Sequence, residues 1–387
     1  MDFSFTDEQR EMARTFADFC AKELSDAYVR WMDANVDFPP QELWDKLASL
    51  GLFAVTVPEE YGGLGLGLID EMVVYEQICK RSMSVALAVG ATFGFGARFL
   101  TELGTEEQKA DHLPRLAEGR LRTAMALTEP GGGTDILGAL STFAEDAGDC
   151  WIINGNKIFI TGAHAADVIF TVCRTERDAP RSRSLSTIMV PRPSEGMTMH
   201  PVEKISCHHC DSVEVNFADV AVPKENLIGT RGQAYREIMT VLNPERIGAA
   251  MLGVGVIAAI YERCMQYVQE RHAFGGPIGR FQALQHYLAD MCINLENARN
   301  LTYKAAWLCD TGQPFHLEAT MAKLVAADGA RHAGTYGVEI FGGYGICDEY
   351  PVSMFARDAY QIQFSPISNE MSRNMLMQFQ GLPKSWG

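Results

Sequence analysis

Hydrophobic and polar positions change their period twice along this chain. From Thr6 to about Ala34 the apolar residues Met12, Phe16, Phe19 and Leu24 recur at helical spacing, and Thr6 with Gln9 has the form of a capping box, so a helix starts there. Pro39-Pro40 opens a second helix that stops at Gly51, and Pro58 to Gly67 reads as an extended, glycine-rich loop. Helical patterns follow near Ile69 to Cys79 and Val85 to Leu103, and Thr105 with Gln108 caps one more helix ending near Gly119. Around Arg122 the period becomes alternating. Short apolar runs at Val168 to Val172, Leu185 to Val190 and Val213 to Phe217 are separated by proline, serine, aspartate and glycine, which predicts antiparallel strands. Past Pro223 long helical patterns return, roughly Ala234 to Glu270, Gln282 to Cys309 and Leu317 to Phe341, the layout of an antiparallel bundle. The fold class is therefore α+β: an N-terminal helical domain over 1–121, a middle antiparallel β domain over 122–233 and a C-terminal helical domain over 234–387.

A chain of 387 residues is long enough for several domains and a large core. Its formal net charge of -16 repels phosphate backbones and anionic lipid, so any anionic ligand has to be met by a local cationic cluster, and no nucleic acid is expected as a partner. Ten cysteines behind a polar, charged Met1 to Arg10 point to free thiols in a reducing cytoplasm. The most apolar stretch, Ile247 to Ile260, is short and glycine-rich, so no membrane span is expected.

Chemistry enters with two stretches. In Leu127 to Asp135 (Leu-Thr-Glu-Pro-Gly-Gly-Gly-Thr-Asp) an apolar run breaks at Pro130 into three glycines that let the backbone approach a bound group, or simply make a tight turn. In Asn154 to Gly162 (Asn-Gly-Asn-Lys-Ile-Phe-Ile-Thr-Gly) the Asn154-Gly155 pair predicts a two-residue hairpin between Trp151-Ile152-Ile153 and Ile158-Phe159-Ile160. Four arginines, Arg174, Arg177, Arg181 and Arg183, belong to a polar segment that reads as a solvated loop or as a phosphate contact. Cys207-His208-His209-Cys210 has metal-ligand residue types, but four adjacent residues do not readily close one tetrahedron, so a loop between strands is expected and no metal.

Together, the two glycine-bearing stretches resemble the flavin-domain signature of the acyl-CoA dehydrogenase family, and the resemblance covers essentially the whole chain. It implies FAD as cofactor, with Met125, Leu127, Thr128, Gly133, Thr134, Phe159 and Thr161 around the isoalloxazine end and Thr134 also near the substrate. Arg271-His272-Ala273-Phe274-Gly275, at a helix break, resembles the segment whose arginine and phenylalanine, with a following glutamine (Gln282), meet the pyrophosphate and adenosine from a neighbouring subunit. Phe341-Gly342-Gly343-Tyr344-Gly345 resembles the family's Phe-Gly-Gly turn, with Gly342 and Gly343 admitting the dinucleotide. Glu339 departs from the glutamine of better-known relatives and has to turn away from a pyrophosphate.

Near the C-terminus, Ser368 and Glu370 match flavin contacts, but the position that holds the glutamate base in medium- and short-chain members is Pro366. Proline is no base and has no N–H to offer a thioester oxygen. Glu245, in Asn243-Pro244-Glu245-Arg246, stands where isovaleryl-CoA and long-chain members place the base, with Pro244 read as a first-turn proline and Asn243 and Arg246 as substrate contacts. The resemblance thus implies α,β-dehydrogenation of an acyl-CoA by a homotetramer that passes electrons to an electron-transferring flavoprotein. Enoyl-CoA reduction, non-oxidative thioester chemistry and an inactive FAD- or CoA-binding protein stay open at this point. So do branched, cyclic and carnitine-like acyl groups.

Overall fold

The computed structural model describes residues 4–384. Helices α1 (Asp7–Glu23), α2 (Asp26–Asn35), α3 (Gln41–Ser49), α4 (Leu68–Cys79), α5 (Met83–Gly90), α6 (Ala97–Leu103) and α7 (Glu106–Ala117) form the first third, with a π-helical stretch, Ala91–Gly96, joining α5 to α6. Both capping boxes form as read, Thr6 with Gln9 and Thr105 with Gln108. One expected helix is two: the chain leaves α1 at Leu24 and Ser25 caps α2, its hydroxyl accepting from the Tyr28 N–H.

The middle third is an eight-stranded sheet. Its strands are β1 (Thr123–Ala126), β2 (Phe143–Asp146), β3 (Cys150–Thr161), β4 (Val168–Arg174), β5 (Leu185–Pro191), β6 (Met197–Pro201), β7 (Ser212–Pro223) and β8 (Leu227–Ile228), with a single helical turn α8 (Ile136–Ala139) between the first two. Most pairings are antiparallel, as expected; β1 and β2 both lie parallel to β4.

The hairpin expected at Asn154-Gly155 does not exist. β3 runs unbroken through both residues because β7 supplies the partner for the whole length. The register slips there, with Asp219 at φ +54° on β7, and Asn154 exchanges hydrogen bonds with Asp219 at 2.9 Å in both directions. Gly155 is needed for another reason: a Cβ would sit 2.4 Å from Thr142 Oγ1. A second slip, between Lys157 and Ile160, leaves Phe159 at φ +59° with its ring outward, a bulge that re-aims one side chain.

The last third is α9 (Ala234–Glu270), α10 (Gln282–Asp310) and α11 (His316–Phe341), followed by α12 (Val352–Asp358), α13 (Gln361–Phe364) and α14 (Asn369–Phe379). Pro244 is not a first-turn residue: it lies inside α9, ten residues past its start. The helix tolerates it because packing on its neighbours fixes the path and only one backbone donor is lost. Two helical stretches, Met83–Leu103 and Ala234–Glu270, are long and apolar enough to cross a membrane, contrary to the expectation; their apolar windows are 72% and 78% buried within the protein. α9 is the core of the bundle, packed on α4, α10 and α11 with Gly253 against Ala326 and Gly255 against Cys79.

The loop before β7 sews the three regions together. Cys207 and Cys210 are buried, the Cys207 N–H donates to Asp358 Oδ1 at 2.7 Å, and His209 Nε2 lies 2.7 Å from Ser82 Oγ. Arg357 reaches Asp33 Oδ2 at 2.7 Å and also touches His208. Burial opposes ionisation of Asp33, but bonds from His209 and Arg357 outweigh it and hold the carboxyl down at about 2. The Cys-His-His-Cys segment is thus part of a domain junction, through the Cys207 backbone and the two histidine side chains, and no group of three candidate metal ligands forms among the described residues.

Candidate active site

Two strands and one loop build a ledge on the β domain. Met125 and Leu127 are half-buried at alternate positions, Thr128 follows them, and the Ile158 N–H donates to Thr128 O at 2.9 Å, which brings the end of β3 alongside. Phe159 is exposed and Thr161 half-buried at that end, so the five residues share one neighbourhood. Gly133 and Thr134 lie exposed on the adjoining loop, and a Cβ on Gly131 or Gly133 would meet nothing within 4 Å.

A buried ion pair fixes this ledge from behind, and sequence reasoning missed it. Lys157 is fully buried; its Nζ donates to Glu129 Oε1 at 2.8 Å and to Leu127 O at 3.0 Å. Glu129 also accepts from Ser141 N at 2.6 Å, Ser141 Oγ at 2.7 Å and Thr142 N at 2.9 Å. Burial would raise the carboxyl's pKa, but Lys157 and these bonds outweigh it and bring it to about 2, while burial lowers that of the lysine. The signal in the sequence was a lysine at an inward position of an apolar strand, which is rarely unpaired.

The second surface is a groove of about 470 Å³ lined by Tyr267, Arg271, Ile278, Phe341, Gly342, Gly343 and their neighbours. Arg271 ends α9, and Phe341, stacked on Tyr267 at 4.0 Å, ends α11. Gly342 takes φ +61°, and neither it nor Gly343 has anything within 4 Å of a notional Cβ, so a ligand can lie against the backbone. Glu339 is outside this lining and engages Tyr287, so it is turned away as required. Phe274 sits at φ +52° on the tip of a small hairpin, 89% exposed, and Gln282 is exposed at the start of α10. None of the ledge residues lines the groove.

Near the C-terminus Ser368 caps α14, its Oγ accepting from Met371 N at 3.2 Å, and Glu370 is exposed. Pro366 lies in the turn just before. The buried Lys323 of α11 holds that turn, donating to Ile367 O at 2.6 Å and Asn369 Oδ1 at 2.8 Å, and burial lowers its pKa to about 8. Ser186 and Thr175 bond each other at 2.6 Å near the arginine-rich loop, where Arg177 stacks on Phe143 at 4.0 Å and Arg181 donates to Leu137 O and Gly138 O. Those two cations serve the loop itself.

Glu245 stands apart from all of these in its electrostatics. The residue keeps partial exposure, but Oε2 is enclosed and has no hydrogen-bond partner. Burial raises its pKa to about 7, against a smaller opposing effect of Arg246. Arg246 does not pair with it; its NH1 donates to Asn243 Oδ1 at 2.9 Å, and burial lowers its pKa. Asn243, Glu245 and Arg246 thus lie together on one turn of α9. A partly open, desolvated carboxylate poised near neutrality is equipped to accept a proton.

Comparison with known proteins agrees in every third of the chain. Family models for the N-terminal, middle and C-terminal domains of acyl-CoA dehydrogenase match residues 6–120, 124–220 and 232–379. A probable acyl-CoA dehydrogenase, YngJ, of Bacillus subtilis (strain 168) is 35% identical over 374 residues, covering 96% of this chain and 98% of its own. The solved butyryl-CoA dehydrogenase from Megasphaera elsdenii superposes with a TM-score of 0.94 at 34% identity over 98% of this chain and 100% of that one. The FAD complex of PigA does so with a TM-score of 0.92 at 26% identity over 99% and 100%.

Proposed function

The chain belongs to the acyl-CoA dehydrogenase family, whose members are FAD-dependent oxidoreductases acting on a CH–CH group, and from that we propose that it oxidises an acyl-CoA thioester to the α,β-enoyl-CoA with Glu245 as base. The single observation that carries this reading is the enclosed, unpartnered Oε2 of Glu245, with a pKa of about 7, on a helix face that keeps some exposure.

The residues present fit the cofactor. Met125, Leu127, Thr128, Phe159 and Thr161 offer a partly apolar ledge for a ring system, and Gly133 and Thr134 leave room beside it. Arg271 with the open glycines 342 and 343 offers charge and backbone access to a pyrophosphate. Bound FAD supplies the acceptor for the hydride that leaves the β-carbon.

This chain's own contribution is the other half of the reaction. Glu245 in its ionised form takes the α-proton onto a carboxylate oxygen as the C–H pair moves into the new double bond. Desolvation makes the carboxylate a stronger base than in water, and Arg246, held by Asn243, stays off it. Pro366 brings no charge and no N–H to this step. Electrons then pass to an electron-transferring flavoprotein.

The ledge and the groove are separate surfaces of one chain, so we place each FAD across two subunits of a homotetramer; the 89% exposed Phe274 supports an intersubunit role. The ten unpaired thiols support a reducing compartment, the cytoplasm. Anaerobic titration of the purified protein with acyl-CoA and enoyl-CoA thioesters, following the flavin spectrum, tests the reading. Acyl-CoA should bleach the flavin; bleaching by none of the acyl-CoA thioesters rejects it.

A further inference from the structure

Resting on the reading of Glu245 as the group that meets the α-carbon, we infer that Tyr75 closes the acyl pocket about three residues of helix rise, or ~4.5 Å, beyond the carboxylate, so that the substrate is a short acyl thioester of about four to five carbons. The stripe of α9 that carries Glu245 continues through Gly248, Ala249 and Leu252 at helical spacing. Exposure fades along it. Glu245 and Gly248 are partly open, Ala249 and Leu252 keep 8% and 6%, and Val256 keeps none. At Gly255 a Cβ would lie 2.2 Å from the Cβ of Cys79, so the backbones of α9 and α4 are in contact there and nothing passes.

The closure begins earlier, at Tyr75, one turn before Cys79 on α4. Its ring edge rests over Gly248, with Cε1 3.9 Å from where a Cβ would be. The ring is held in place: Oη donates to Ala86 O at 2.9 Å, and Phe93 meets it edge-on at 5.4 Å. Gly90 is glycine for the same reason, since a Cβ would stand 2.6 Å from Tyr75 Oη. A longer chain gains nothing by going around. One turn back along α4, on the side of Tyr75 away from Cys79, the buried Glu71 pairs with Arg98 at 2.9 Å, and an alkyl tail turning there would meet charge instead of apolar surface. Leu87, Gly90, Ala91 and Gly94, on the helical stretch that meets Tyr75 at Gly90, are partly open and mostly small.

The test uses the FAD-loaded protein with butyryl-, hexanoyl-, octanoyl- and dodecanoyl-CoA. Affinity is measured calorimetrically on the Glu245→Gln holoprotein, which holds substrate without consuming it, and flavin bleaching is measured on the wild type. Affinity and bleaching should be best for butyryl-CoA and fall by about tenfold or more at octanoyl-CoA, roughly 1.4 kcal/mol. Tyr75→Phe should leave the profile alone, whereas Tyr75→Ala should move the optimum to longer chains with FAD retained. If Tyr75→Ala does not fold, Tyr75→Leu keeps the core filled and carries the same expectation. Equal binding of dodecanoyl- and butyryl-CoA, or a chain-length profile unchanged in Tyr75→Ala (or in Tyr75→Leu where the alanine variant does not fold), overturns the inference. Binding that peaks at short chains with no bleaching by any of them instead contradicts the dehydrogenase reading and leaves the pocket depth standing.

Discussion

A carboxyl shut away from water resists ionisation, and that one fact sets the pH behaviour expected of this protein. Burial favours the neutral form of Glu245, which is no base, and the ionised form dominates only above its pKa of about 7. The rate of flavin reduction by acyl-CoA should therefore rise from pH 6 to about 8 and level off beyond. Stopped-flow mixing under argon measures it, and a rate that falls over the same range assigns the proton chemistry to another group. Glu245 was singled out by the family resemblance, which offers two places for the base, one in Asn243-Pro244-Glu245-Arg246 and the other occupied here by Pro366, which is no base. That Oε2 has no partner was not legible, since it depends on Arg246 turning to Asn243 instead. Asp33 illustrates the opposite sign. Its folded pKa of about 2 is below the ordinary carboxylate value, so its stabilising contribution is present above about pH 4 and is lost as pH falls towards 2. Asp33→Asn should lower stability by about 1–2 kcal/mol at pH 7 and less near pH 3, read as a narrowing gap in Tm between variant and wild type.

Among the elements, β3 shows where local signals run out. Asn-Gly between two apolar runs is a strong hairpin signal. It failed because the long partner β7 and the side chain of Asp219 satisfy the same groups in a bulge, a non-local fact. The helices were legible because caps and apolar spacing act within a few residues, and the capping boxes at Thr6 and Thr105 form as written. Lys157 lies in the same misjudged stretch. Its pair with Glu129 ties β3 to the segment that carries Leu127 and Thr128, so Lys157→Met should leave a carboxylate buried without its cation. The expected loss is about 3–5 kcal/mol, accompanied by weaker FAD retention. Thermal unfolding and FAD release on gel filtration measure the two; a variant with wild-type Tm and full FAD content shows that the pair does not hold the ledge.

At the scale of the whole molecule, the ledge and the groove share no lining residue within one chain, and a cofactor site divided between subunits was implied by family resemblance, not by any periodicity. The long apolar helix Ala234–Glu270 passes for a membrane span by composition, but its faces are covered by α4, α10 and α11, which only the assembled bundle reveals. If the groove serves a neighbour's FAD, Arg271→Ala should weaken FAD binding by about 1.5–3 kcal/mol and loosen the oligomer together. Equilibrium dialysis and light scattering on one sample check both; unchanged FAD affinity removes Arg271 from the site. The central claim, that this chain uses Glu245 to start α,β-dehydrogenation, is tested most directly by one rate. Glu245→Gln keeps the shape and removes the basicity, so the FAD-loaded variant should bind acyl-CoA yet reduce its flavin at least about a hundredfold more slowly than wild type in anaerobic single turnover. Flavin reduction at near the wild-type rate would contradict the account.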